Sequence, residues 1–423
     1  MEPADLALAE PIMPEPDRPP SKKLSATEWA KENLFYNVAS TLITLGFVVI
    51  FVALLKNTIR FVFVSGRWEI LHVNMTNMLV GVLFPREEIT RGWIALFIVA
   101  MGVAFMVGSA HQLVAQSDEE LGAAVVPQGQ QMRSALGRFA PMVLLVVVLL
   151  ALARQARFGA AALIFGMVAV GWVARTVGMR LPRQRAGLGA AAGGLTVVGG
   201  FVFLATGVGW QQWGGLLLTV FLASSAIVLC FPLGLAAALG RRSKLPVVRA
   251  FSIIYIELIR GVPLITLLFI GSLTLNFFLP AGLVPSGVTR SVIMITLFSG
   301  AYVAEIVRGG LQAVPKGQTE AAQALGLPTL KMLRLIVLPQ ALRNVIPALV
   351  GQFISLFKDT SLVAIIGLRD LLLVTQGFTK QPEFQGTAAA EVLAIAAFIY
   401  WVFTFTMSRE SQRLERRLGV GTR

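Results

Sequence analysis

The 423-residue sequence holds one cysteine, Cys230, and two histidines, His72 and His111. A single thiol excludes an intrachain disulfide and a cysteine-rich metal centre, and neither histidine has a partner at metal-ligand spacing, so no metal site is expected. Cys230 lies in an apolar run and reads as a small, inert hydrophobe. No phosphate-binding loop of the GxxxxGK[ST] type occurs, so the chain is not expected to bind ATP by that motif, and no cofactor is expected on it. Charge is also scarce. Asp, Glu, Lys and Arg make up 14% of the residues and hydrophobic types 56%, giving a mean hydropathy of +0.75. Several apolar runs approach the ~20 residues that span a bilayer, so the expected fold is all-α, a polytopic membrane bundle. The same scarcity of His and Cys, with no catalytic constellation, argues against an integral membrane enzyme.

The formal net charge is +14. The basic residues are not gathered as in a nucleic-acid-binding surface. They cluster in short loops between apolar runs, which is the positive-inside pattern, so the expected partner is a lipid bilayer and not nucleic acid. Arg175, Arg180, Arg183 and Arg185 mark one cytoplasmic loop. Gly207 to Gly215, GVGWQQWGG, has no charge and is expected on the far face, with Trp210 and Trp213 as interface anchors. Lys22, Lys23 and Lys31 precede the first apolar run and the chain ends in RESQRLERRLGVGTR, so both termini are expected in the cytoplasm.

In chain order, residues 1–33 are rich in proline and acid and read as a disordered cytoplasmic tail. Residues 34–206 read as about five spans: near 37–55, near 92–110, a hairpin of two within 141–174, and near 188–206. Arg154 and Arg157 would be expensive at the bilayer centre, which puts them at the turn of that hairpin. The mixed connector 56–91 is expected outside the membrane on the far face. Residues 207–423 add five spans, near 214–239, 250–278, 289–307, 345–367 and 388–407. About ten spans place both ends and the loop 308–343 on the cytoplasmic side.

That loop is the polar interruption of an otherwise oily chain. Arg308, Lys316, Lys331 and Arg334 lie in it. Glu320 to Leu325 are good helix formers, Gly326 suits the left-handed position past a helix end, and Pro328 forbids continuation. Glu320 is expected near the helix N-terminus, where the dipole favours it. Pro328 and Pro339 can each open a further short helix.

The order Glu320-Ala321-Ala322, three residues, Gly326, nine residues, Ile336-x-Leu338-Pro339 resembles the EAA loop of ABC-importer permeases. ELIRGVPLI from Glu257, GRRSKLPVVR from Gly240, FKDTSLV from Phe357, and the run from Gly300-Ala301-Tyr302 to Gly317-Gln318 resemble the polar amino acid branch. They are most similar to the general L-amino-acid permeases that carry extra N-terminal spans. The resemblance covers about half the chain, from Gly207 to the end. It implies a type I importer core of five helices, with Gly317, Glu320, Ala321, Ala322, Gly326, Leu327, Ile336, Leu338 and Pro339 docking on an ATPase. It further implies two ABC ATPase subunits that bind ATP and Mg, an extracytoplasmic amino-acid-binding protein, and a second permease, with a heterodimer favoured over a homodimer. Another small polar solute, or a signalling or assembly subunit that kept the loop, are the alternatives.

Two further groups stand out. Glu257 and Arg260 are three apart on one helix face, as are Glu305 and Arg308, and each pair reads as a gate or as a structural ion pair. Lys358, Asp359, Thr360 and Ser361 lie mid-way along an apolar stretch, where each charge costs at least ~2.5 kcal/mol unless it meets water or a partner. They read as lining a solute path or as a buried structural pair. Phe277 and Phe278 read as lipid-facing.

Overall fold

The computed structural model describes residues 25–120, 147, 157–280 and 283–417. They form two compact units, Met1–Gly66 and Arg67–Arg423. Every regular element among the described residues is helical, apart from one isolated bridge between Gly215 and Asp370.

In the first unit, α1 spans Ala26–Asn33. Ser25 and Glu28 close a capping box: the Glu28 amide donates to Ser25 Oγ at 3.3 Å and the Ser25 amide to Glu28 Oε2 at 2.9 Å. The backbone N–H and the hydroxyl of Ser25 hold the Glu28 carboxyl below its ordinary range. Residues 26–33 thus depart from the disordered tail expected over 1–33, because a local cap orders a helix that bulk composition does not reveal. The rest of that tail lies outside the described residues. Asn37 caps α2, Val38–Arg60, which runs on through a π turn over Phe61–Ser65. No side chain of α2 is buried by its own unit. A helix apolar on all sides suits a lipid solvent.

The second unit contains α3 (Glu69–Val80), α4 (Ile89–Glu120), α5 (Arg157–Met179), α6 (Ala186–Gly207), α7 (Gly215–Arg241) and α8 (Pro246–Arg260). It continues with α9 (Leu264–Phe269), α10 (Leu275–Phe278), α11 (Gly287–Ala313), α12 (Lys316–Ala324) and α13 (Thr329–Met332). It ends with α14 (Leu338–Asp359), α15 (Leu371–Phe378) and α16 (Ala389–Arg417).

Seven helices among the described residues are long and apolar enough to cross a membrane, or eight if a broken pair is one span, beside the ten expected over the whole chain. The expected span 250–278 is broken by 105° between α8 and α9. Pro263 offers no amide and disfavours the α conformation at Val262, so the helix stops and restarts in a new direction. Of the hairpin expected in 141–174, the first half lies outside the described residues apart from Val147, and the second falls in α5, Arg157–Met179.

The extension packs closely. In α6, Gly193 and Gly200 face α4, where a Cβ would come within 2.7 Å of the Met106 amide nitrogen and 2.8 Å of Val99 Cγ2. Gly194 and Gly199 meet nothing within 4 Å. Only half of this glycine-rich set therefore serves helix contact, as the seven-residue separation on one helical face requires. The main core joins α7, α11 and α14 around Leu222, Ile295, Val303, Ala304, Ala341 and Leu356.

Part of the connector 56–91 enters a core. Its helix α3 places Ile70, Leu71 and Met78, all fully buried, in a second core with Leu371, Phe378 and Ile399. Asn74 is buried, and its amide exchanges two hydrogen bonds with Gln381, at 3.0 and 2.8 Å. The Arg67 amide donates to Glu391 Oε1 at 2.7 Å and Arg67 Nη1 to Thr387 Oγ1 at 3.0 Å. Gly81, with φ +96°, lies so close to Gly214 that a Cβ would be 2.5 Å from Gly214 Cα. The Gly214 amide donates to Val80 O and the Gly215 amide to Arg369 O, at 2.9 and 2.8 Å. The composition change at Gly207 is therefore no gap in packing.

Trp213 likewise departs from an interface anchor. It is 2% exposed, donates from Nε1 to Val208 O at 2.9 Å, and sits edge-on to Phe221. At the same junction the Asp370 carboxylate caps α15, accepting from the amides of Leu372 and Leu373 at 3.1 and 3.0 Å. Burial pushes its pKa up to about 6, against the pull of those amides and of the Tyr400 hydroxyl.

A buried amide that loses its partner costs about 1–3 kcal/mol, whereas removing both partners costs far less. Asn74→Ala is expected to lower unfolding stability in detergent by about that amount, and Asn74→Leu with Gln381→Leu to recover part of it. Additive losses would show that the pair does not hold α3 in place.

Candidate functional site

The loop between α11 and α14 carries the residues singled out in the sequence. α12 ends in a Schellman motif: the Gly326 amide donates to Gln323 O at 2.9 Å and the Leu327 amide to Ala322 O at 3.1 Å. Gly326 has φ +71°, and a Cβ there would meet nothing within 4 Å. Its glycine answers a backbone conformation and not a shortage of room. Pro328 then opens α13. Pro339 opens no separate helix, because Thr329–Ile366 is one helical run. A π turn over Leu333–Val337 immediately precedes it, and this wider turn accommodates a residue without an amide.

The two stems of the loop touch. At Gly310 of α11 a Cβ would lie 2.5 Å from Ala341 O of α14. Below this contact Leu311, Val314, Ala322, Met332 and Val337 join the main core, and Gln340 Nε2 donates to Gln318 Oε1 at 3.3 Å and to Ile336 O at 3.0 Å. The loop is thus a packed finger.

Its residues divide into two sides. Gly317, Glu320, Ala321, Gly326 and Pro339 are exposed, Leu327, Ile336 and Leu338 are half-buried, and Ala322 is buried. Two expectations change. Glu320 stands in the middle of α12, not in its first turn, so the helix dipole is not what selects it. Ala322 is small because it packs against its own chain, while Ala321 and Ala324 face outward. The sequence reading also missed Leu325, Leu330 and Leu335, which are 79%, 77% and 64% exposed. Large apolar side chains this bare, in a stretch that also carries Lys331 and Arg334, mark a contact surface. The signal was available: leucines five apart in a polar loop fit no single helix face.

At the same end of the bundle the two suspected pairs merge into one cluster. Glu305 and Arg308 pair in a fork, with Arg308 Nε donating to Glu305 Oε2 at 2.9 Å and Arg308 Nη2 bonding Glu305 Oε1. Arg260 Nη1 lies 3.6 Å and Arg241 Nη1 3.8 Å from Glu305 Oε2. Arg241 also binds Glu257 Oε1 at 2.8 Å, and the Arg260 guanidinium sits 5.6 Å over the Tyr302 ring. Three arginines and two glutamates therefore join the ends of α7 and α8 to α11, the helix that runs directly into the loop. Glu257 pairs with Arg241 from another helix and not with Arg260 of its own. Arg241 was hidden in the sequence among the basic residues of GRRSKLPVVR.

The group from Lys358 to Ser361 sits where α14 gives way to a 3-10 turn, Thr360–Ile366. Lys358 is exposed, Asp359 and Ser361 are half-buried, and Thr360 is buried. The hydroxyls of Thr360 and Ser361 donate to Phe357 O and Lys358 O, at 2.7 and 2.8 Å. Their hydrogens are spent on their own helix, which leaves Lys358 and Asp359 as the polar groups on offer.

A β-branched residue resists the left-handed conformation, at about 1–2 kcal/mol. Gly326→Val is expected to speed hydrogen exchange at residues 326 and 327 about tenfold, while Gly326→Asn, which tolerates that region, leaves it close to the parent. Equal protection in all three proteins would show that the cap does not fix the end of α12.

Residues 230–420 match the family described as "binding-protein-dependent transport system inner membrane component". Over 223 residues the chain is 52% identical to the inner membrane amino-acid ABC transporter permease protein YhdY of Escherichia coli, a match covering 53% of this chain and 60% of that one. It is 48% identical over 208 residues to the glutamate/glutamine/aspartate/asparagine transport system permease protein BztC of Rhodobacter capsulatus, covering 49% of this chain and 48% of that one. The matched part thus spans between about half and three-fifths of these two relatives. A third similarity, 37% over 207 residues, covers 48% of this chain and 92% of the probable glutamine ABC transporter permease protein GlnP of Bacillus subtilis. With nearly the whole length of that relative matched, the chain belongs to the binding-protein-dependent transport system inner membrane component family.

Proposed function

We propose that the chain is the transmembrane permease subunit of an ATP-driven importer that moves polar L-amino acids across a bacterial inner membrane. The observation that carries this reading is the packed finger over residues 308–343, capped at Gly326 and baring Leu325, Leu330 and Leu335 beside an ion cluster that binds three helices. A finger of this kind can pass a partner's movement into the bundle without bending. The names of the amino-acid permeases that match the chain support the solute class.

In this reading the chain catalyses nothing. Two ATPase subunits bind ATP and Mg and dock on Gly317, Glu320, Ala321, the Gly326 cap and the three bare leucines. A second, related permease completes the pathway, and an extracytoplasmic binding protein delivers the amino acid. Nucleotide and ligand states bias an equilibrium between inward- and outward-open arrangements. The solute passes Lys358 and Asp359, whose opposite charges complement the carboxylate and ammonium of a zwitterion. A permease for another small polar solute would use the same finger with a different lining, and a signalling subunit would keep the finger without the path.

Co-purification with an ABC ATPase, followed by uptake in proteoliposomes with the whole complex, tests the reading. Lys358→Met and Asp359→Asn are each expected to cut amino acid uptake at least about tenfold, a change of ~1.4 kcal/mol, with assembly and basal ATP hydrolysis intact. Unchanged uptake in both would remove these residues from the path. Failure of the parent complex to take up any amino acid, although the ATPase is bound, would contradict the solute assignment.

A further inference from the structure

The helix α8 turns an apolar face away from the protein. Val247, Phe251, Ile254 and Leu258 are 79%, 74%, 62% and 63% exposed. Their spacing of four, three and four residues aligns them in one stripe along the helix. The opposite face is fixed to the bundle: Ser252 and Ile256 are buried, and Tyr255 donates to Leu297 O at 2.7 Å. A third side carries Arg249, Glu257 and Arg260. The 105° turn after Arg260 sets α8 far from the direction of α9. If α9 and α10 run into the bilayer, α8 lies along its surface, which is where an amphipathic helix with one lipid-facing stripe is stable.

The chain that leads into this helix is basic. Arg242, Lys244 and Arg249 are exposed, and no acidic residue occurs between 239 and 256. Arg241 is already committed to Glu257 and Glu305. Arg242 and Lys244 lie in the turn just ahead of Val247, the first residue of the stripe, so a ligand that fits both features has an anionic head and a long apolar tail. Arg249, on the far side of the helix from the stripe, is not part of this group. We propose that α8 is an interfacial anchor, and that Arg242 and Lys244 hold the headgroup of an anionic phospholipid whose acyl chains cover Val247, Phe251, Ile254 and Leu258. Lipid is favoured over a second protein as the cover because a headgroup satisfies the uncompensated charge and the tail satisfies the stripe in one molecule. This site is independent of what solute the chain carries and of the residues that line any path.

The test uses the full-length chain with Cys230→Ala and Ile254→Cys, labelled at 254 with an environment-sensitive fluorophore. It is reconstituted in phosphatidylcholine vesicles that contain an equal share of brominated phosphatidylglycerol or brominated phosphatidylcholine. The brominated anionic lipid is expected to quench the label several-fold more than the brominated zwitterionic lipid at low salt, and the preference to shrink as salt is added. Arg242→Gln with Lys244→Gln should abolish the preference and leave quenching by both lipids at the lower level. Arg242→Lys with Lys244→Arg, which keeps the charge, should retain it. Equal quenching by the two lipids in the parent would overturn the headgroup site. No quenching by either would show that protein covers the stripe and overturn the anchor, and a preference that survives the double substitution would remove these two residues from it.

Discussion

The carboxylate of Glu305 is the point to which three arginines from three helices converge. Arg308 belongs to its own helix, Arg260 arrives from α8 and Arg241 from the end of α7. Three cations converge on this one carboxylate, with Glu257 sharing Arg241, and its side chain is only 25% exposed, so water screens it less than a surface pair. α11 leaves this cluster and enters the loop within two to three turns. The cluster therefore fixes the base on which the finger stands, and the contact between Gly310 and Ala341 fixes the second stem against the first.

The opposite junction is built on a different rule. In an apolar solvent, irregular backbone persists only where its polar groups are paired. The meeting of α3, the start of α7 and the segment before α15 obeys it, through Gly214 on Val80, Gly215 on Arg369, and the amides of Leu372 and Leu373 on Asp370. The Asn74–Gln381 amide pair and the Arg67–Glu391 bond extend this order to the start of α16. The stretch from Arg67 to Gly81 is in this sense part of the core's construction, although the family match begins only in α7.

The helical, membrane-spanning character of the chain was legible because it follows from composition and run length. So was the loop, since Gly326 and Pro328 act through local conformation that a sequence displays directly. What lay beyond reach depended on tertiary contact. Arg241 reads as one more basic residue of a cytoplasmic turn until α11 is seen beside it. The connector helix α3 is short and not strongly apolar, so hydropathy alone put it outside the membrane and showed nothing of its place in a core. Trp213 has the residue type of an interface anchor but the surroundings of a core residue. Hydropathy is also blind to direction, so it read 250–278 as one straight span where the helix turns by 105° at Pro263. Glu320 shows a subtler limit: one turn of error in a helix start moved it from the dipole's positive end to mid-helix.

The central claim is that Glu305 locks the ends of α7 and α11 together so that the finger and bundle move as one body. Spin labels at Arg242→Cys and Gln312→Cys, in a Cys230→Ala background, measure this directly by their distance distribution in lipid. The account predicts one narrow distance in the parent and a broad or shifted distribution once Glu305→Gln removes the carboxylate's charge. Equally narrow and superimposable distributions in the two proteins would contradict it.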